Sequence, residues 1–145
     1  MKTDASIRNI IVAAIRRHLR DEAECIFTRI FETKMFDELQ LNISKIAHEL
    51  PVAGTFLSPK KITLVTTRRI LTLDNGNWLQ MEAKDIKEFF PNDFKGGGKQ
   101  AVTTGHVVGD DDSRVPVFIE TKGPSMIVIY AIQTLRRIAK LSPKS

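Results

Sequence analysis

The chain has 145 residues, 42% of them hydrophobic and 27% charged, which suits one globular domain with its own core and excludes an intrinsically disordered chain. The lone Cys25 can form no internal disulfide, and the best apolar runs, Ile10–Ile15 and Met126–Ile132, fall far short of the ~20 residues of a bilayer-spanning helix. The net charge of +5 is unevenly placed, with +4 over residues 1–20, −4 over 21–50, +1 over 51–94 and +4 over 95–145. That pattern permits an acidic partner without requiring one.

In chain order, the first predicted helix runs from about Ala5 to Leu19, capped by Asp4 or Ser6, with Ile7, Ile10, Ile11 and Ala14 on one face. After Arg20 the apolar stripe moves to Leu19, Ala23, Ile26, Phe27 and Ile30. Asp21 followed by Glu24 has capping-box spacing, which favours a break there and a second helix. Phe36, Leu39, Ile43, Ile46, Ala47 and Leu50 follow the 3/4 spacing of a third helix, stopped by Pro51. Residues 51–59 read as a loop, or as one holding a short edge strand at Gly54–Leu57.

The pattern changes at Lys61. Ile62–Leu73 is rich in β-branched residues, and Asp74-Asn75-Gly76-Asn77 is a tight-turn sequence leading to a return strand over Trp78–Ala83. Alternation places Trp78, Gln80 and Glu82 on one face of that strand and Leu79, Met81 and Ala83 on the other. Asp85–Phe90 reads as a short strand or turn. Gln100–Val108 and Val115–Thr121 read as an antiparallel pair. Ser125 caps a final helix to about Leu141, with Ile127, Tyr130, Ala131, Leu135, Ile138 and Ala139 facing inward. The predicted class is therefore α+β: N-terminal helices over residues 1–50, then an antiparallel sheet of about five strands and a closing helix over residues 60–141, in a single domain.

Thr66-Thr67-Arg68-Arg69-Ile70 resembles the T-x-x-R-hydrophobic strand of bacterial pleckstrin-homology-like and GRAM-type domains, and the following order of hairpin, strand pair and closing helix is similar. The resemblance covers residues 60–141. It implies a partial form of that family's seven-stranded barrel and a role in protein or ligand binding without catalysis.

Residue patterns for catalysis or metal binding are sparse. Gly96-Gly97-Gly98 before Lys99 lacks the spacing and the Ser or Thr of a P-loop, so it reads as a loop. Asp110, Asp111 and Asp112 lack the spacing of a calcium loop, and His106 has no second ligand at zinc spacing. No cofactor or metal is expected. Cys25 on its apolar stripe reads as an inert thiol. Arg68 and Arg69, and Arg136 and Arg137 with Lys140, form basic patches that, with Trp78, are the candidate partner-binding residues. The leading expectation is a cytoplasmic, non-catalytic module that recognises a protein or an acidic surface, in the manner of an inhibitor or toxin-neutralising protein. One alternative is a small barnase-like ribonuclease using His106, Lys99, Thr103, Thr104 and Arg114 as acid, base and phosphate-holding groups. A further alternative is a nucleic-acid-binding accessory domain.

Overall fold

The computed structural model describes residues 2–44 and 46–141. The architecture is α+β. One N-terminal helix, α1 (Asp4–His18), precedes β1 (Thr28–Ile30), β2 (Pro51–Ser58), β3 (Lys61–Thr66), β4 (Arg69–Asp74) and β5 (Asn77–Glu82). These form one antiparallel five-stranded sheet in the order β1-β2-β3-β4-β5. Strands β6 (Ile86–Phe90), β7 (Val102–Gly109) and β8 (Arg114–Glu120) form a second, three-stranded sheet, and α2 (Ser125–Leu141) closes the fold. Among the described residues the sheets stay separate and close no barrel, because no strand ladder joins β5 to β6.

The main core lies where one face of the five-stranded sheet, the inner face of the three-stranded sheet and both helices meet. Val65, Ile70, Val117, Ile119, Ile127 and Ile132 are buried there. The free edge of β8 lies across the larger sheet, and two buried threonines satisfy it. Phe118 N–H donates to Thr63 Oγ1 at 2.8 Å, and the Thr72 hydroxyl donates to the Pro116 carbonyl at 2.6 Å. With that proton committed, the 3.0 Å contact between the two hydroxyls requires Thr63 to donate to Thr72. Hydroxyls thus complete a ladder edge that would otherwise be buried without partners.

Several sequence expectations are corrected. The N-cap of α1 is Thr3, whose hydroxyl accepts from Ser6 N–H at 3.1 Å, while Asp4 is the first helical residue and is buried. The predicted break after Arg20 is present, but no second α-helix follows it. Residues 22–24 make one 3₁₀ turn and Thr28–Ile30 pairs with β2; the Ala23 side chain on the predicted stripe lies outside the described residues. The physical reason is Glu120, whose carboxylate takes the N–H groups of Ile26, Phe27 and Thr28 at 2.8 to 3.0 Å and so replaces the partners a helix would supply.

The third helix is also absent. Among the described residues of that segment only Phe36–Leu39 is helical, as a 3₁₀ turn, and Gln40 then adopts a left-handed φ of 53°. Residues 36–43 form a strap over the far face of the five-stranded sheet. Leu39, Leu41 and Ile43 pack with Phe36, Phe31, Leu64 and Leu71 in a second core. In that core Phe31 meets Phe56 edge-on, with ring centroids 6.0 Å apart. The 3/4 spacing signalled a buried face, but a sheet whose second face needs covering can bury the same residues through an irregular strap.

Strand β2 runs for eight residues in the middle of the sheet, where a loop or a short edge strand was expected. Pro51 is tolerated as its first residue, and Gly54 is needed inside it, because a Cβ there would lie 2.7 Å from the Thr63 carbonyl oxygen. The predicted long strand Ile62–Leu73 is two strands joined at Thr67-Arg68. Thr66 Oγ1 accepts from the N–H groups of Arg68 and Arg69, both at 3.0 Å, and turns the chain without Gly or Pro. The Asn75-Gly76 hairpin is as expected, with φ of 50° and 87° at its two central residues. Ser125 is the first residue of α2, and its hydroxyl donates back to the Lys122 carbonyl at 2.5 Å.

Candidate functional site

Three buried carboxylates organise the interior, and each is taken up by the fold. Glu49 is fully buried and bidentate on Arg69, with Nε–Oε2 at 2.8 Å and Nη2–Oε1 at 2.9 Å, and it also accepts from Thr66 Oγ1 at 2.6 Å. Arg69 further donates to Gln80 and to the Ser44 carbonyl, which ties the strap to the sheet. Glu120 accepts from three successive backbone N–H groups and from the Thr28 hydroxyl at 2.7 Å. Asp4 accepts from Thr67 Oγ1 at 2.5 Å and is bidentate on Arg68 at 2.9 and 2.8 Å, joining α1 to the β3–β4 turn. Burial pushes the Asp4 carboxyl up, and the hydrogen bonds from Arg68 and Thr67 reverse this and hold it below its ordinary value. All four residues of Thr66-Thr67-Arg68-Arg69 are therefore used in turn formation and ion pairing.

What these contacts leave uncommitted lies around α1 and α2. The helices run antiparallel, with the His18 ring stacked on Tyr130 at 3.8 Å near one end. At the other end they part over a cavity of about 340 Å³. Its floor is apolar: Ile7 from α1, Ala83 from the 3₁₀ turn after β5, and Leu135, Ile138 and Ala139 from α2. Its rim is polar, formed by Lys2, Asp4, Arg68, Glu82 and Lys84. Asp4 is turned to Arg68, and Lys84 sits a loose 3.7 Å from Glu82, whereas Lys2 pairs with no described acid. The cations therefore outnumber the available carboxylates. Such a groove can seat apolar side chains while its rim holds carboxylates.

Comparison with family models, curated proteins and solved structures finds no match.

The structure places the sequence-predicted residues as follows. Arg68 is on the groove rim, its side chain 41% exposed. Arg69 is 4% exposed in its ion pair and belongs to the interior. Trp78 is half-buried against the second core. Arg136 donates to the Lys87 carbonyl on β6, while Arg137 is exposed; with Gln133, Lys140 and Leu141 they line a shallow cavity on the other flank of α2.

Of the ribonuclease set, His106 and Arg114 come together on the exposed outer face of the three-stranded sheet, Nε2 to Nη1 at 3.1 Å, beside the half-exposed Phe90. Thr104 shares that face, Thr103 points to the interior, and Lys99 lines a different cavity with Glu24 and Glu120. The glycine loop is already occupied by an anion of the chain itself: the Asp93 carboxylate accepts from Gly97 N–H at 3.1 Å and Gly98 N–H at 2.8 Å. Asp111 likewise accepts from Ser113 N–H and Oγ, and no cluster of metal-ligating side chains occurs among the described residues. Cys25 is half-buried, and burial followed by the nearby Glu120 and Glu22 carboxylates pushes its thiol up to about 11. A thiol in that setting is a poor nucleophile.

Sequence reasoning missed the groove. Leu135, Ile138 and Ala139 were visible as the inward stripe of the last helix, but that they line a groove at one end depends on where α1 and the 3₁₀ turn fall.

Proposed function

We propose that this chain is a non-catalytic binding module, and that its partner presents a segment combining bulky apolar side chains with carboxylates. The carrying observation is the groove between α1, α2 and the 3₁₀ turn, with an apolar floor and a cation-rich rim. The neighbourhood favours the same sign of partner: α2 holds Arg136, Arg137 and Lys140 and no acid at all. The sequence resemblance of residues 60–141 to pleckstrin-homology-like domains implies a binding role of the same kind.

The test is a fluorescence-anisotropy titration with a labelled amphipathic helical peptide of leucine, alanine and glutamate. Saturable binding is expected, and a peptide with lysine in place of glutamate should bind far more weakly. Ala139→Phe, which fills the groove from a half-buried position, should weaken binding roughly fivefold or more. Equal binding of both peptides, or binding untouched by Ala139→Phe, would defeat the proposal. RNA cleavage by the pure protein that His106→Ala abolishes would favour the ribonuclease alternative instead.

A further inference from the structure

The five-stranded sheet ends at β5 with no described strand beyond it. The register from Arg69↔Glu82 to Asp74↔Asn77 is continuous, so the strand is unbulged. Its sequence, Asn-Trp-Leu-Gln-Met-Glu, holds no Lys or Pro, the residues that commonly guard an edge against pairing. Which backbone groups face outward follows from one hydrogen bond. Ala83 N–H donates to the Arg68 carbonyl at 3.0 Å. In an antiparallel ladder alternate residues bond to the same side, so Met81, Leu79 and Asn77 also bond inward to β4. Trp78, Gln80 and Glu82 therefore present their N–H and C=O groups at the free edge.

A cavity of about 660 Å³ runs beside that edge. Gln80, Met81 and Glu82 line it consecutively, so it follows the strand itself and not one face of the sheet. Its other walls carry Asp85, Asp110 and Asp111. Among the described residues the one cation in its lining, Arg69, is already bound to Glu49, Gln80 and Ser44. The described lining is thus acidic, opposite in sign to the groove at the helices.

We infer that the free edge of β5 is a second docking surface, which adds an extended, lysine- or arginine-bearing segment of a partner protein as a further strand of the sheet. Main-chain hydrogen bonds to Trp78, Gln80 and Glu82 supply the pairing, and the carboxylates of Glu82, Asp85, Asp110 and Asp111 select basic side chains. A second copy of this chain fits worse, because β5 itself carries no Lys or Arg to meet the acidic lining. Glu82 also lies on the rim of the groove, but the pairing proposed here uses the β5 edge and needs nothing seated in that groove.

The experiment is amide hydrogen exchange read by NMR on the full chain, with an end-capped peptide alternating valine and lysine as probe. Exchange at Trp78, Gln80 and Glu82 is expected to slow on addition of peptide. The double variant Asp110→Asn, Asp111→Asn should weaken the effect roughly threefold to tenfold, as expected for exposed charge pairs. Glu82→Pro is the decisive variant. Its φ of −68° already suits proline, and its N–H lies at the edge outside the ladder with β4, so the chain should fold and lose the protection, whereas Glu82→Gln should keep most of it. Three results would overturn the inference. The edge amides could exchange unchanged at saturating peptide. A valine–glutamate peptide could protect them equally. Or folded Glu82→Pro could bind undiminished.

Discussion

Glu49 and Arg69 show how far a buried charge depends on its partner. Both side chains are at most 5% exposed, and Glu49 supplies two of the contacts that neutralise the guanidinium. Glu49→Ala leaves Arg69 buried and unpaired and should cost about 3–5 kcal/mol in a urea denaturation curve; a loss within ordinary surface-mutation range would show that water replaces the carboxylate. Asp4 gives a pH-dependent counterpart. Its folded value lies below the ordinary 3.8, so its contribution is complete above the usual carboxylate range and fades as pH falls through 3.8 towards the lower folded value. The difference in urea midpoint between the wild type and Asp4→Asn should therefore hold steady near neutral pH and shrink below about pH 4. A gap that widens on acidification would reverse the sign of this linkage.

The elements that sequence made visible are those whose cause is local. Asn75-Gly76 carries its own turn geometry, the β6–β8 strands alternate or bunch apolar residues between clear turns, and α2 shows an unbroken helical stripe. The misread segment is the one whose partners lie far along the chain. Glu120 replaces helical hydrogen bonds for Ile26–Thr28 from more than ninety residues away. The strap over residues 36–43 takes its shape from the sheet beneath it, although Leu39, Leu41 and Ile43 carry a period-two hint of a chain lying flat. The motif at Thr66–Arg69 was legible as a motif, but its work proves to be turning and pinning the chain. Phe36 anchors the strap at 6% exposure, so Phe36→Ala should cost about 3–5 kcal/mol. A loss below about 1 kcal/mol, measured by thermal or urea unfolding, would mean that the strap is not packed on the second core.

Across the whole molecule, charge is segregated by layer. Helices α1 and α2 together carry six Lys and Arg residues against the single acid Asp4, while residues 21–50 have a net charge of −4. A basic helical layer steers an acidic partner towards the groove, so association with the leucine–glutamate peptide should slow as salt shortens the screening length. The charge blocks were legible in the sequence, but the groove was not, because it depends on which faces the two helices leave uncovered. The most direct measurement is an NMR chemical-shift map of the full chain titrated with that peptide. The largest shifts should fall on Ile7, Arg68, Ala83, Lys84 and Ala139, around the groove between the helices. Shifts gathered instead on Phe90, His106 and Arg114, with the groove silent, would contradict a binding role for that groove.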